Sequence, residues 1–341
     1  MSVDASRPLV LTSGDPAGIG GELALAAWAA RDSAGVPPFV LLDDPERLTA
    51  LVARLGWDVP VARVDRAAEA GVMWASALPV LPHPFPAPVR PGSPDSANAR
   101  AVIDAIDRAV TLVRDGHARA LVTNPIAKTV LQAGGFRHPG HTEYLAHLAA
   151  DGKDPPVPVM MLAGPALRVV PVTVHIPLAE VPGAVTAEAV MHAAHTTHAA
   201  LRRDVAVDAP VLAVAGLNPH AGEGGAMGTA EQTVIAPAVT QLRAEGLTVQ
   251  GPLSADTMFH ADARRGYDAA VCMYHDQALI PLKTLDFAEG VNVTLGLPFV
   301  RTSPDHGTAF DLAGTGRADA RSLIAACRTA AEMAANRARH G

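Results

Sequence analysis

The chain has 341 residues, 49% hydrophobic and 18% charged, which supplies apolar material for a sizeable core and excludes a generally disordered chain. A formal net charge of -7 and an aromatic content of 4% argue against a protein that displaces phosphate counterions or stacks single-stranded bases, so no nucleic-acid partner is expected. Two cysteines, Cys272 and Cys327, are too few for a disulfide framework, no apolar run reaches the ~20 residues of a membrane span, and Met1 to Pro8 is polar, so a reducing cytoplasmic setting without membrane attachment is expected.

Along the chain, short apolar runs alternate with helical spacing. Leu9 to Thr12 reads as a strand that leads through Gly14–Gly21 into an Ala-rich helix from Glu22. Phe39 to Leu42 is a second strand. Residues 78–96 carry seven prolines, from Pro79 to Pro94, and read as an irregular connection. Val102, Ile106, Val110 and Val113 recur at helical spacing over 101–113. Strands are expected over 120–123, 157–162, 167–174, 211–215, 269–273 and 291–295, and helices over 186–201, 229–245 and 322–337. This alternation predicts an α/β protein with a largely parallel sheet.

Ligands of such sheets bind beyond the strand ends, and polar clusters fall there. Gly14-Asp15-Pro16-Ala17-Gly18-Ile19-Gly20 lets backbone N–H groups approach an anion, although its glycine spacing is not that of the dinucleotide fingerprint. His175, His220 and His275 each follow an apolar strand. Three neutral imidazoles with one coordination position open suit a catalytic metal. His192, His195 and His198 share a helix without an intervening acid and read as a solvated face. Lys283 and Arg301 suit a doubly anionic ligand. The loop Asp305 to Gly314 could hold an adenosine.

Taken together, Gly14–Gly20, Gly140-His141-Thr142-Glu143, Gly216–Gly225, Met273–Gln277 and Asn292–Ser303 resemble the 4-hydroxythreonine-4-phosphate dehydrogenase family of the vitamin B6 pathway, in the family's order over residues 12–316. The resemblance implies two α/β/α domains with an interdomain cleft, like isocitrate and isopropylmalate dehydrogenases. Their expected bounds are 1–133 plus 298–341 for the cofactor domain, and 134–297 for the metal and dimer domain. It places a divalent metal (Zn2+, Mg2+ or Co2+) on His175, His220 and His275, and substrate on His141, Thr142, Lys283, Asn292 and Arg301. NAD or NADP would meet His306, Gly307, Thr308, Ala309 and Asp311. Lys283, Asp276 and Asp256 are the candidates for proton handling.

The family is homodimeric, with each active site completed by the partner subunit. The implied reaction is metal-assisted oxidation of 4-phosphohydroxy-L-threonine at C3, followed by decarboxylation. Gly21, Ala278 and the stretch Thr123–Lys128 depart from the family pattern. They leave open a relative acting on a 4-phospho-erythronate, a threonate or a cis-dihydrodiol dicarboxylate. A noncatalytic binding protein on the same scaffold is the remaining alternative.

Overall fold

The structure is a computed structural model that describes residues 7–150 and 152–340, so Met1–Ser6 of the polar N-terminal stretch lie outside the described residues. In chain order the first half forms β1 (Leu9–Thr12), α1 (Gly20–Ala29), β2 (Phe39–Asp43), α2 (Pro45–Leu55), β3 (Val61–Arg63), β4 (Leu78–Pro82), α3 (Ala99–Arg114), β5 (Leu121–Thr123), α4 (Lys128–Ala133) and α5 (His141–Ala149). There follow β6 (Val159–Ala163), β7 (Arg168–Thr173), α6 (Ala187–Asp204), β8 (Val211–Ala215), α7 (Ala236–Ala244), β9 (Thr248–Leu253), β10 (Ala269–Tyr274), α8 (His275–Asp286), β11 (Val291–Leu295), β12 (Arg301–Pro304) and α9 (Arg321–His340).

These elements divide into two units, one holding the described residues up to Pro158 with Leu297–Arg339, the other Val159–Gly296. In the first, six strands run β3-β4-β2-β1-β5-β12, every neighbouring pair parallel. In the second, the order is β11-β6-β7-β10-β8-β9, and β6 runs antiparallel to both of its neighbours while β7, β10, β8 and β9 pair in parallel. The α/β class expected from the sequence is what the chain adopts, with the antiparallel β6 as its irregularity. Segment 134–158 falls with the first unit rather than the second. The reason is packing: Phe136, Tyr144, Leu145 and Ala146 insert into the same core as Val10, Ile106 and Leu121.

Local chemistry explains most element bounds. Asp44 caps α2 by accepting from Glu46 N at 2.9 Å and Arg47 N at 3.1 Å, Pro45 opens the helix, and Gly56 ends it at φ 65. Val102, Ile103, Ile106, Ala109 and Val110 turn one stripe of α3 onto β1, β2 and β5. Residues 78–82 correct the irregular reading of the Pro-rich stretch. Leu78, Val80 and Leu81 are buried, and Leu78 N donates to Pro60 O at 2.8 Å, so β4 keeps its place between β2 and β3 despite two prolines. Residues 229–245 are expected as one helix but open with a π-helical turn, Glu231–Ile235, before α7. The second unit has its own core of Leu162, Val169, Ala213, Ala270, Cys272, Leu279 and Leu282. Cys272 and Cys327 are buried and free, and burial raises both thiols.

Ile106 is 1% exposed in the first core. Ile106→Ala should lower the unfolding free energy by about 2–5 kcal/mol in urea titration. A loss under about 1 kcal/mol would show that this core is not packed as described.

Candidate active site

The first unit builds a buried cationic corner from the end of β5 and the start of β12. Arg301, 3% exposed, donates from Nε and Nη2 to Thr123 Oγ1 at 3.2 and 2.6 Å. Burial pushes its guanidinium down to about 10, so it stays cationic at neutral pH. His141 is the first residue of α5, and its ring Nε2 is buried with no hydrogen-bond partner. Burial, with Arg301 adding repulsion, holds His141 well below the usual imidazole range, so the ring is neutral. Thr142 follows in the same first turn, whose N–H groups lack helical acceptors.

Two glycine-punctuated loops meet in the same unit. Gly14 has φ +68, and a Cβ there would lie 2.5 Å from Pro125 O, so only glycine fits the turn leaving β1. Asn124 Nδ2 donates to Thr12 O at 3.0 Å and Gly20 O at 3.4 Å, tying the ends of β1 and β5. Asp15 Oδ1 accepts from Ala17 N at 3.0 Å; burial raises its carboxyl, opposed by that bond and by Arg47. The other loop lies against this one: Ile19 N donates to Thr308 O at 3.1 Å. Within it, His306 Nδ1 stands 3.0 Å from Gly307 O, Ala309 is left-handed at φ 43, and Asp311 is exposed. The buried carboxylate of Glu22 accepts from Gly314 N at 2.9 Å and Gly316 N at 2.6 Å. A cavity of about 550 Å³ adjoins both loops, lined by α2, Phe85 and Pro91, with Arg54 Nε donating to Gly314 O at 3.1 Å.

The second unit carries the histidines. His175 and His275 follow β7 and β10, their ring centroids are 5.7 Å apart, and both line a pocket of about 280 Å³ with Asp276 and Leu178. His275 Nδ1 lies 2.7 Å from Asp276 Oδ1, which favours the tautomer whose Nε2 is left as an acceptor. Gln277 accepts from Met273 N at 2.7 Å and donates to Gly216 O at 2.8 Å, joining the ends of β10 and β8. His220 stands on the loop after β8 at φ 52, and His175 is also left-handed at φ 50, backbone states that L-residues adopt at a cost. Glu231 holds the His220 loop: its carboxylate accepts from Leu217 N at 2.8 Å, Asn218 N at 2.7 Å and Asn218 Nδ2 at 3.0 Å. Burial pushes the Glu231 carboxyl up, but these donors outweigh it and hold it below its ordinary range. Asp256 is held low by Ser254 Oγ, 2.5 Å away, with His220 adding to the effect. Lys283 lies on α8 with Nζ 6.0 Å from the Phe287 ring centre. Asn292, on β11, keeps a buried Oδ1 without a partner.

One chain therefore brings His141 to Arg301, the Gly14–Gly20 loop to the 306–314 loop, and His175 to His275. It does not gather all three candidate metal histidines. Among the described residues no group of three or more His, Cys, Asp or Glu side chains could hold a metal ion. The imidazole donors are of a kind that suits a divalent cation. Glu22, Glu231, Gln277 and Thr123 escape sequence reasoning as site residues. The one signal for Glu22 and Glu231 is an acid inside an otherwise apolar stretch. The face of His192, His195 and His198 is also less bare than expected, since His195 Nε2 pairs with Glu245 Oε2 at 2.6 Å and links α6 to α7.

A family model described as pyridoxal phosphate biosynthetic protein PdxA matches residues 36–330. A 4-hydroxythreonine-4-phosphate dehydrogenase of Methylorubrum populi is 60% identical over 331 residues, 96% of this chain and 95% of the relative. Among solved structures, the 4-hydroxythreonine-4-phosphate dehydrogenase of Klebsiella pneumoniae matches with a TM-score of 0.85 at 36% identity, covering 96% of this chain and 98% of that one. A terephthalate 1,2-cis-dihydrodiol dehydrogenase of Burkholderia xenovorans matches with a TM-score of 0.64 at 29% identity, covering 96% and 98%. No helix among the described residues is long and apolar enough to cross a membrane.

An imidazole depressed in the folded state binds its proton first in the unfolded chain, so acid favours unfolding. His141 should therefore cost the native state stability as pH falls below its ordinary 6.5. Urea midpoints at about pH 7.5 and about pH 5.5 should diverge more for the native chain than for His141→Gln. Equal divergence would contradict a buried neutral ring.

Proposed function

We propose that this chain, which belongs to the PdxA family of pyridoxal phosphate biosynthetic proteins, is a metal-dependent, NAD- or NADP-linked dehydrogenase of 4-phosphohydroxy-L-threonine. That it is an oxidoreductase follows from full-length identity to enzymes of that name, and the noncatalytic reading is set aside. The C3 hydroxyl is oxidised to give 2-amino-3-oxo-4-phosphooxybutanoate. This β-keto acid loses carbon dioxide to leave 3-amino-2-oxopropyl phosphate.

The observation that carries the reading is the buried, cationic Arg301 beside a neutral His141 whose Nε2 has no partner. An uncommitted nitrogen next to a buried cation is a site for an anionic substrate. In the first unit Arg301, His141 and Thr142 bind an anionic group of the substrate and hold it for reaction; Lys283 and Asn292 are further substrate-binding residues. The loop from His306 to Asp311 holds the dinucleotide, steadied through Glu22. A divalent cation held by His175, His220 and His275 would polarise the C3 hydroxyl, and the dinucleotide would accept the hydride. Asp276 orients His275, and Asp256 supports His220. Both carboxylates serve the imidazoles, so proton transfer falls to Lys283.

The three imidazoles come from two copies of the chain. His175 and His220 are exposed. In the same unit Leu178, which shares a pocket with His175, and Ile280 and Phe287 are 70%, 62% and 79% exposed, large apolar side chains that a homodimer contact would cover.

The likeness to the Burkholderia xenovorans enzyme favours one second reading, a cis-dihydrodiol dicarboxylate substrate. Reduction of NAD+ and of NADP+ should be followed with 4-phosphohydroxy-L-threonine, 4-phospho-erythronate and a cis-dihydrodiol dicarboxylate. The first should turn over, and chelator or His220→Ala should bring the rate to background. Turnover that survives chelation, or that appears only with another substrate, would overturn the metal or substrate assignment respectively.

A further inference from the structure

Lys128 is the first residue of α4, in a stretch that departs from the family pattern and that the chemistry above does not use. Its Cε lies 3.9 Å from the point where a Cβ on Gly140 would stand. Gly140 caps α5 and precedes His141. Lys128 is exposed, and its side chain makes no hydrogen bond or ion pair among the described residues. Glu143 Oε2 lies 3.2 Å from the same Gly140 point on α5, yet the two do not pair.

The route from β5 to Lys128 is rigid. Thr123, its last residue, holds Arg301. Asn124 is buried and bonded to Thr12 O and Gly20 O, and Pro125 O accepts from Asp15 N at 2.9 Å. A single stretch of six residues, 123–128, thus holds Arg301 at one end and brings Lys128 near Gly140, the residue that precedes His141, at the other. A phosphate dianion needs more positive charge than Arg301 alone supplies in this unit, because His141 is neutral. The first turn of α5 adds N–H donors without charge.

We infer that Lys128 is a further substrate-binding residue, whose ammonium takes the phosphate group together with His141, Thr142 and the first turn of α5. The inference rests on the phosphorylated substrate proposed above. Glu143 is then an acidic neighbour that leaves the ammonium unengaged.

The test is steady-state kinetics of Lys128→Gln and Lys128→Arg beside the native enzyme, with inorganic phosphate binding measured by calorimetry on all three. Lys128→Gln should raise KM for the phosphorylated substrate about tenfold or more, the loss of one charge-assisted bond, and leave kcat within about threefold. It should weaken inorganic phosphate by a similar factor, and Lys128→Arg should restore most of both. Unchanged KM and unchanged phosphate binding in Lys128→Gln would overturn the inference, as would an equal loss in the arginine variant. A native enzyme that binds phosphate through Lys128 but oxidises no phosphorylated hydroxy acid would sink the functional reading and leave the inference standing.

Discussion

A parallel strand ends with backbone N–H and C=O groups that no hairpin partner can receive, and the site depends on how this chain ties those ends. Asn124 ties β1 to β5 through Thr12 and Gly20. Gln277 ties β10 to β8 through Met273 and Gly216. Glu231 takes three donors from Leu217 and Asn218 and so sets the loop that carries His220. Glu22 does the same for the loop ending at Gly316. Each tie is a polar side chain closing backbone groups that would otherwise be stranded, and the one made by Glu231 helps hold the left-handed turn at His220.

Packing of α5 into the first core buries His141 near Arg301 and keeps the ring neutral, because desolvation and repulsion act in the same direction. The result is a corner with one fixed positive charge and one uncommitted ring nitrogen. On the other unit, the Asp276 carboxylate beside His275 Nδ1 favours an imidazole that presents Nε2 outward. Such rings suit metal ligation, and the exposed positions of His175 and His220 suit completion by another chain.

Much of this was legible in the sequence, for physical reasons. Val211–Ala215 and Val291–Leu295 are apolar runs bounded by polar residues, and both form strands over those bounds. β3 and β12 are three and four residues long, too short for periodicity to show. β4 was hidden by Pro79 and Pro82, and α8 by Pro281 within it. His141 and Arg301 were legible as residues, but their proximity across 160 positions rests on packing of α5 into the first core, which no local pattern encodes. The ties made by Glu22 and Glu231 were invisible because an acid inside an apolar stretch reads equally as a surface position, while Gln277 was legible as part of a polar cluster but its bond to Gly216 was not.

The proposed chemistry requires His175, His220 and His275 to be shared between two copies of the chain. The decisive measurement is activity after subunit exchange between separately inactive variants, pairing His220→Ala with His275→Ala and His175→Ala with His220→Ala. A site drawn from two copies predicts that mixing at least one of these pairs restores about a quarter of native activity, since half of randomly mixed dimers carry one intact site of two. No recovery in either pair, with exchange verified by mass, would place all three ligands on one chain and contradict the account.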